Sequence, residues 1–130
     1  MNDFFKIPII RLYGNLIVTI QVELSDAVMR QLKEDLTREV ERTDAHSLII
    51  DLTGVELMDS YISRAVRDLS VIAKLMGVRA AVCGMRPMVA MTLVEMEMEL
   101  EGIVTALSLE KAIEKMRALQ ESKEQEDRLM

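Results

Sequence analysis

Asp51-Leu52-Thr53-Gly54-Val55-Glu56-Leu57-Met58-Asp59-Ser60 decides how the rest of the chain is read. An apolar run, Leu48-Ile49-Ile50, leads into it, and an unbroken amphipathic segment from Tyr61 to Met76 leaves it. A short, continuously apolar run is what a strand buried on both faces looks like. In the segment that follows, Ile62, Ala65, Val66, Leu69, Ile72, Ala73 and Met76 recur at the spacing of one helical face. Gly77 comes next, where helices commonly end on a left-handed residue. Val78 to Cys83 is a second buried-type strand. Residues 48–83 therefore form a β-α-β unit, which implies parallel strands and a right-handed crossover.

Outward from this unit, Ile7 to Leu12 and Leu16 to Val22 are apolar runs separated by Tyr13-Gly14-Asn15, a hairpin signal. Ser25 or Asp26 caps a helix with Val28, Leu32, Leu36 and Val40 on its buried face, ending near Arg42. Beyond Cys83, Pro87 opens a helix to about Met98, and Gly102 breaks it. Val104 to Leu107 reads as an edge strand. Ser108 precedes a last helix with Leu109, Ala112, Ile113, Met116 and Leu119 inward. The expected fold is α/β, one mixed sheet with helices packed on it, in the order β-β-α-β-α-β-α-β-α. The expected organisation is one domain over residues 1–119 and a polar tail, 120–130, whose lost periodicity predicts fraying.

Composition narrows the function. Half of the 130 residues are hydrophobic and the formal net charge is −6. That sign disfavours non-specific nucleic-acid binding and anionic membrane surfaces. Eleven methionines suit adaptable contacts, with Met88, Met91, Met96 and Met98 close together. The single cysteine, Cys83, and the single histidine, His46, cannot supply a typical zinc site, so no metal is expected. A secretory signal and a membrane-length apolar run are both missing from the reading, which places the protein in the cytoplasm. Neither a P-loop nor a dinucleotide fingerprint is present, so no cofactor is expected. The surroundings of Ser60 do not resemble a G-x-S-x-G elbow, and Glu95, Glu97, Glu99 and Glu101 spread round a helix. A catalytic role is not expected.

Ser60 stands where a helix leaves the C-terminal edge of a parallel strand, the edge where ligands and partners dock in open α/β sheets. A serine there can cap the helix or carry a phosphate, because free amides and the helix dipole favour an anion. Phosphorylation would add about −1.5 to −2 charges beside Asp51, Glu56 and Asp59.

The element order and the motif D-L-T-G-V-E-L-M-D-S at 51–60 resemble the STAS fold of the anti-sigma factor antagonist family. The resemblance extends from Ile9 to Leu119. It implies phosphorylation of the serine in the Asp59-Ser60 pair by a partner serine kinase, with Asp51, Leu52 and Thr53 at the strand end. A small residue and a glycine usually follow that serine, whereas Tyr61-Ile62-Ser63-Arg64 follow it here. That departure, with V-C-G-M-R-P-M-V-A-M-T-L-V-E-M at 82–96, is most similar to the RsbS-type stressosome scaffold branch of the family. The resemblance implies a large assembly with sensor-bearing paralogues of the RsbR type. It implies capture of a switch kinase of the RsbT type until phosphorylation releases it, and a resetting phosphatase of the RsbX type. Ser60 is then the acceptor and Ser63 the second choice, since a hydroxyl one turn into a helix can be occupied by backbone. Asp51, Thr53, Asp59, Tyr61 and Arg64 are the expected loop and partner-binding residues. A free antagonist that binds an anti-sigma factor kinase is the alternative.

Overall fold

Apolar side chains alternate between two covered faces of one sheet. The computed structural model describes residues 6–20, 24–95 and 102–130. Its strands are β1 (Ile9–Leu12), β2 (Asn15–Thr19), β3 (Ser47–Asp51), β4 (Arg79–Cys83) and β5 (Val104–Ala106). Its helices are α1 (Asp26–Arg42), α2 (Ser60–Leu75), α3 (Pro87–Glu95) and α4 (Leu109–Leu129). The five strands stand in sequence order; β1 is antiparallel to β2 and the remaining pairs are parallel. This is the expected mixed α/β architecture.

Because strand side chains alternate, neighbouring residues go to opposite faces. Leu16, Val18, Leu48, Ile50, Ala80 and Val82 pack with Leu32 and Leu36 of α1 and Val66 and Leu69 of α2. Ile17, Ile49, Ala81 and Cys83 pack instead with Ala112 and Met116 of α4. One face therefore carries the main core, and the other is covered by α4. Ala65 and Ala73 of α2 are fully buried, so this helix can lie close against the sheet.

The ends of the elements follow local rules, with small corrections. The hairpin turn is Tyr13-Gly14, with φ of 51° and 78°, and Asn15 already belongs to β2 and is buried. Two successive positive φ values match the twist of the flanking strands. Ser25 caps α1 by accepting the Val28 amide at 3.1 Å, which settles the choice between it and Asp26. After α2, the Gly77 amide reaches the Lys74 carbonyl (3.1 Å) and the Val78 amide reaches the Ala73 carbonyl (2.8 Å). That pair of bonds closes a helix on a left-handed glycine, here Gly77 at φ 79°. The expected continuation of α3 to Met98 and of the second hairpin run to Val22 lies outside the described residues.

The tail differs from expectation. Instead of fraying at Gln120, α4 runs on to Leu129. Past Met116 its side chains are mostly exposed, and Leu119, expected inward, is 37% exposed. The reason is that lost apolar periodicity marks the end of a buried face, not of a helix. Glu, Lys, Gln and Arg are good helix formers, and they carry the backbone on.

Lys33 of α1 bridges Asp68 of α2 at 2.8 Å, tying together the two helices of the main core. Burial pushes the Asp68 carboxyl up, but hydrogen bonds from Lys33 and Arg67 outweigh it and hold the group below its ordinary value. A depressed carboxyl stabilises the fold above its unfolded pKa, and that contribution disappears as pH falls through the folded value. Lys33→Met is expected to lower stability by about 1 kcal/mol or less at neutral pH. Urea melts of wild type and variant should converge as pH falls below the ordinary carboxylate range near ~4.

Candidate functional site

The loop between β3 and α2 is set by Asp51. This last residue of β3 is buried, and its Oδ1 accepts the Thr53 amide at 2.9 Å and the Thr53 hydroxyl at 2.6 Å. A short polar side chain that hydrogen-bonds two residues ahead turns the backbone sharply. On the neighbouring strand the Cys83 thiol is pushed up to about 12 by burial and by the charge and hydrogen bond of Asp51. It is therefore a neutral thiol against the carboxylate, and no nucleophile at physiological pH. Gly84 follows at φ 74°, and an added Cβ there would collide with the Thr53 hydroxyl and approach Asp51 Oδ1 to 2.9 Å. The Leu52 amide donates to the Cys83 carbonyl at 2.9 Å and Arg86 Nε donates to the Thr53 carbonyl at 3.4 Å. Asp51 and Thr53, expected to face a partner, are thus bonded to one another. Asp51 points inward because it shares the α4 face of β3 with Ile49.

From this knot the chain buries Val55 and then emerges with Glu56 and Leu57 exposed. Asp59 caps α2, its Oδ1 accepting the Ile62 amide at 2.8 Å. Ser60 is consequently the first helical residue and not the cap, a one-residue correction. It is exposed, and among the described residues nothing takes up its hydroxyl. Ser63 differs in both respects. It is buried and its hydroxyl donates to the Asp59 carbonyl at 2.9 Å. Tyr61 and Arg64 are exposed on the first turns of α2. Exposed Ser60, Tyr61, Arg64 and Glu56 therefore share one end of the sheet, above a rigid base made by Asp51, Thr53 and Gly84.

Gly84 of this base, and Arg86, which donates to it through the Thr53 carbonyl, are given no role of their own in the sequence, where they stand only within the motif at 82–96. The positive φ of Gly84 is a local requirement, but its approach to Thr53 is a contact across the sheet that no spacing announces. Among the described residues no group of three His, Cys, Asp or Glu side chains could hold a metal ion. Among those residues no helix is long and apolar enough to cross a membrane.

The model of the STAS domain matches residues 6–112. A solved serine-to-glutamate variant of RsbS from Moorella thermoacetica superposes with a TM-score of 0.79 at 32% identity, covering 88% of this chain and 99% of that one. A chain from the molecular architecture of the stressosome, a signal integration and transduction hub, superposes with a TM-score of 0.79 at 34% identity, covering 87% and 98%. The RsbT co-antagonist protein RsbRA of Bacillus subtilis is 28% identical over 112 residues, 82% of this chain and 39% of the relative. The chain thus spans about two fifths of that relative's length.

Gly77 and Gly84 have nearly the same φ, but a Cβ on Gly77 would meet nothing within 4 Å. Gly77→Ala is expected to cost about 1 kcal/mol for the left-handed backbone alone. Gly84→Ala adds the collision with Thr53 and is expected to cost about 1–2 kcal/mol more. Equal losses in urea unfolding would show that the Asp51–Thr53 knot does not need Gly84.

Proposed function

The chain belongs to the STAS domain family, and on that premise we propose that it is a stressosome scaffold subunit switched by phosphorylation of Ser60. In this reading it holds a serine/threonine kinase of the RsbT type and co-assembles with sensor-bearing paralogues of the RsbR type. Phosphorylation releases the kinase to act downstream, and a phosphatase of the RsbX type resets the subunit. The subunit itself is a non-catalytic cytoplasmic protein that needs no cofactor. The likeness to RsbS and to the stressosome chain supports this branch over a free antagonist, since both superpose with a TM-score of 0.79 at 32% and 34% identity, whereas an anti-sigma factor antagonist superposes with a TM-score of 0.67 at 14%.

The observation that carries the proposal is the contrast between the two serines. Ser60 offers an exposed, unoccupied hydroxyl at the start of α2, while Ser63 is buried and bonded to Asp59. In the transfer, Ser60 Oγ forms a bond to the γ-phosphorus of the kinase's Mg-bound ATP. The bond to the bridging oxygen breaks, ADP departs and the hydroxyl proton goes to a base on the kinase. This chain's part is to present the hydroxyl on a fixed base. Exposed Tyr61 and Arg64 flank it as partner contacts.

Once formed, the phosphoserine stands next to the Asp59 carboxylate, which already occupies the Ile62 amide. Two anions then compete for the same helix terminus. The reading is that this competition loosens the Asp59 cap, shifts the 56–59 loop and changes the surface that the kinase grips.

Incubation with an RsbT-type kinase and Mg-ATP, followed by mass-spectrometric site mapping, is expected to place one phosphate on Ser60. Ser60→Ala should accept none. Ser60→Asp should weaken kinase capture by about tenfold or more in a binding assay. Phosphate on Ser63 with Ser60 unmodified would overturn the assignment.

A further inference from the structure

Ser60 and Arg64 stand four residues apart at the start of α2, and both are exposed. Side chains on a helix lean toward its N-terminus, so the Arg64 side chain lies over the turn that begins at Ser60. Residues at this spacing are neighbours on the helix surface, and an anion placed N-terminal to a cation is the favourable order. A phosphate on Ser60 would supply that anion.

The other charges around this turn are committed elsewhere or carry the wrong sign. Arg67 donates to Asp68 through Nε and Nη2 at 3.3 and 3.2 Å. Lys33 bridges the same carboxylate from α1. Arg86, just before α3, donates through Nε to the Thr53 carbonyl at 3.4 Å. Arg64 has no hydrogen bond or ion pair among the described residues. On the negative side, Asp51 is buried in the base, Asp59 holds the Ile62 amide at 2.8 Å, and Glu56 is exposed in the same loop. A phosphate on Ser60 is thus set among carboxylates, with the amide of Ile62 already taken. Arg64 is the cation that the helical spacing brings to it.

We propose that Arg64 is the internal counter-ion of phosphorylated Ser60, closing a salt bridge across the first turn of α2. The planar guanidinium can meet two phosphate oxygens at once. The pairing withdraws Arg64 from the surface beside Ser60. Modification therefore takes a positive contact away from an acidic partner surface, besides adding negative charge. The inference rests on Ser60 as the modified residue, not on which enzyme modifies it. Its test uses no kinase, so its failure is separate from failure of the kinase assay above.

Phosphoserine would be installed at position 60 of the full chain by genetic encoding and titrated by phosphorus NMR. A nearby cation favours the dianion and lowers the second phosphate pKa from its ordinary value near ~6. Arg64→Ala is expected to raise that pKa by about 0.3–0.5 at low salt. Arg64→Lys, which keeps the charge and loses the fork, should recover about half of the difference. Salt at about 1 M should erase it. Arg67→Ala removes the same charge two turns from Ser60 and should leave the pKa nearly unchanged. Should Arg64→Ala fail to fold, the unsubstituted phosphorylated chain answers alone. Its Arg64 side-chain Nε–H resonance should shift, and exchange more slowly with solvent, as the phosphate ionises. Equal pKa values in wild type and Arg64→Ala would mean that amides and water hold the phosphate, and would overturn the proposal. So would an Arg64 resonance that ignores the phosphate.

Discussion

A carboxylate buried at the end of a strand must find its donors nearby, and Asp51 finds them two residues ahead. The Thr53 amide and hydroxyl both turn back to it. Without them a buried acid group would be strongly disfavoured. This requirement bends the chain where β3 ends and fixes the direction in which the next residues leave the sheet. It also explains Gly84, since any side chain there would enter the space that Thr53 occupies. The loop can then bury Val55 and arrive at Asp59 with the geometry to cap α2. Ser60 is exposed because Asp59 takes the capping role and the buried positions of α2 begin only at Ser63 and Ala65.

The sheet distributes its two ends differently. At the C-terminal edge the polar residues Asp51 and Thr53 satisfy one another, leaving a stiff platform beneath the exposed residues of α2. At the N-terminal edge Asn15 is satisfied on one side only, and its neighbours include charges without partners. α4 spans the difference. Its first half completes the core through Ala112 and Met116, and its second half brings Arg117, Glu121 and Glu124 to the edge. One helix therefore serves as both a core element and the wall of a polar cavity.

Much of this was legible in the sequence because burial imposes period. The β-α-β unit, the α2 stripe and the mixed sheet followed from where Ile49, Val66, Leu69 and Val82 recur. The occupied state of Ser63 followed from the reach of a helical hydroxyl to the preceding turn. Three features did not follow. Asp59 and Ser60 are both good caps, and only the coordinates show which one receives the Ile62 amide. Parity along β3 places Asp51 with Ile49 on the α4 side, but which face is covered is a long-range fact. The tail lost its stripe at residues that still favour a helix, so the pattern tracked contact with the core and not backbone conformation.

The strand at one border of the sheet is only four residues long, and that at the other is three. Pro8, immediately before β1, has no amide hydrogen to offer a newcomer. Exposed Arg11 would place its charge in any interface built along that side. Copies crowded together thus have little backbone on which to extend one another's ladders. Any contact between copies would have to be made through side chains and not by extending the sheet, which guards the fold against growing into a continuous fibre.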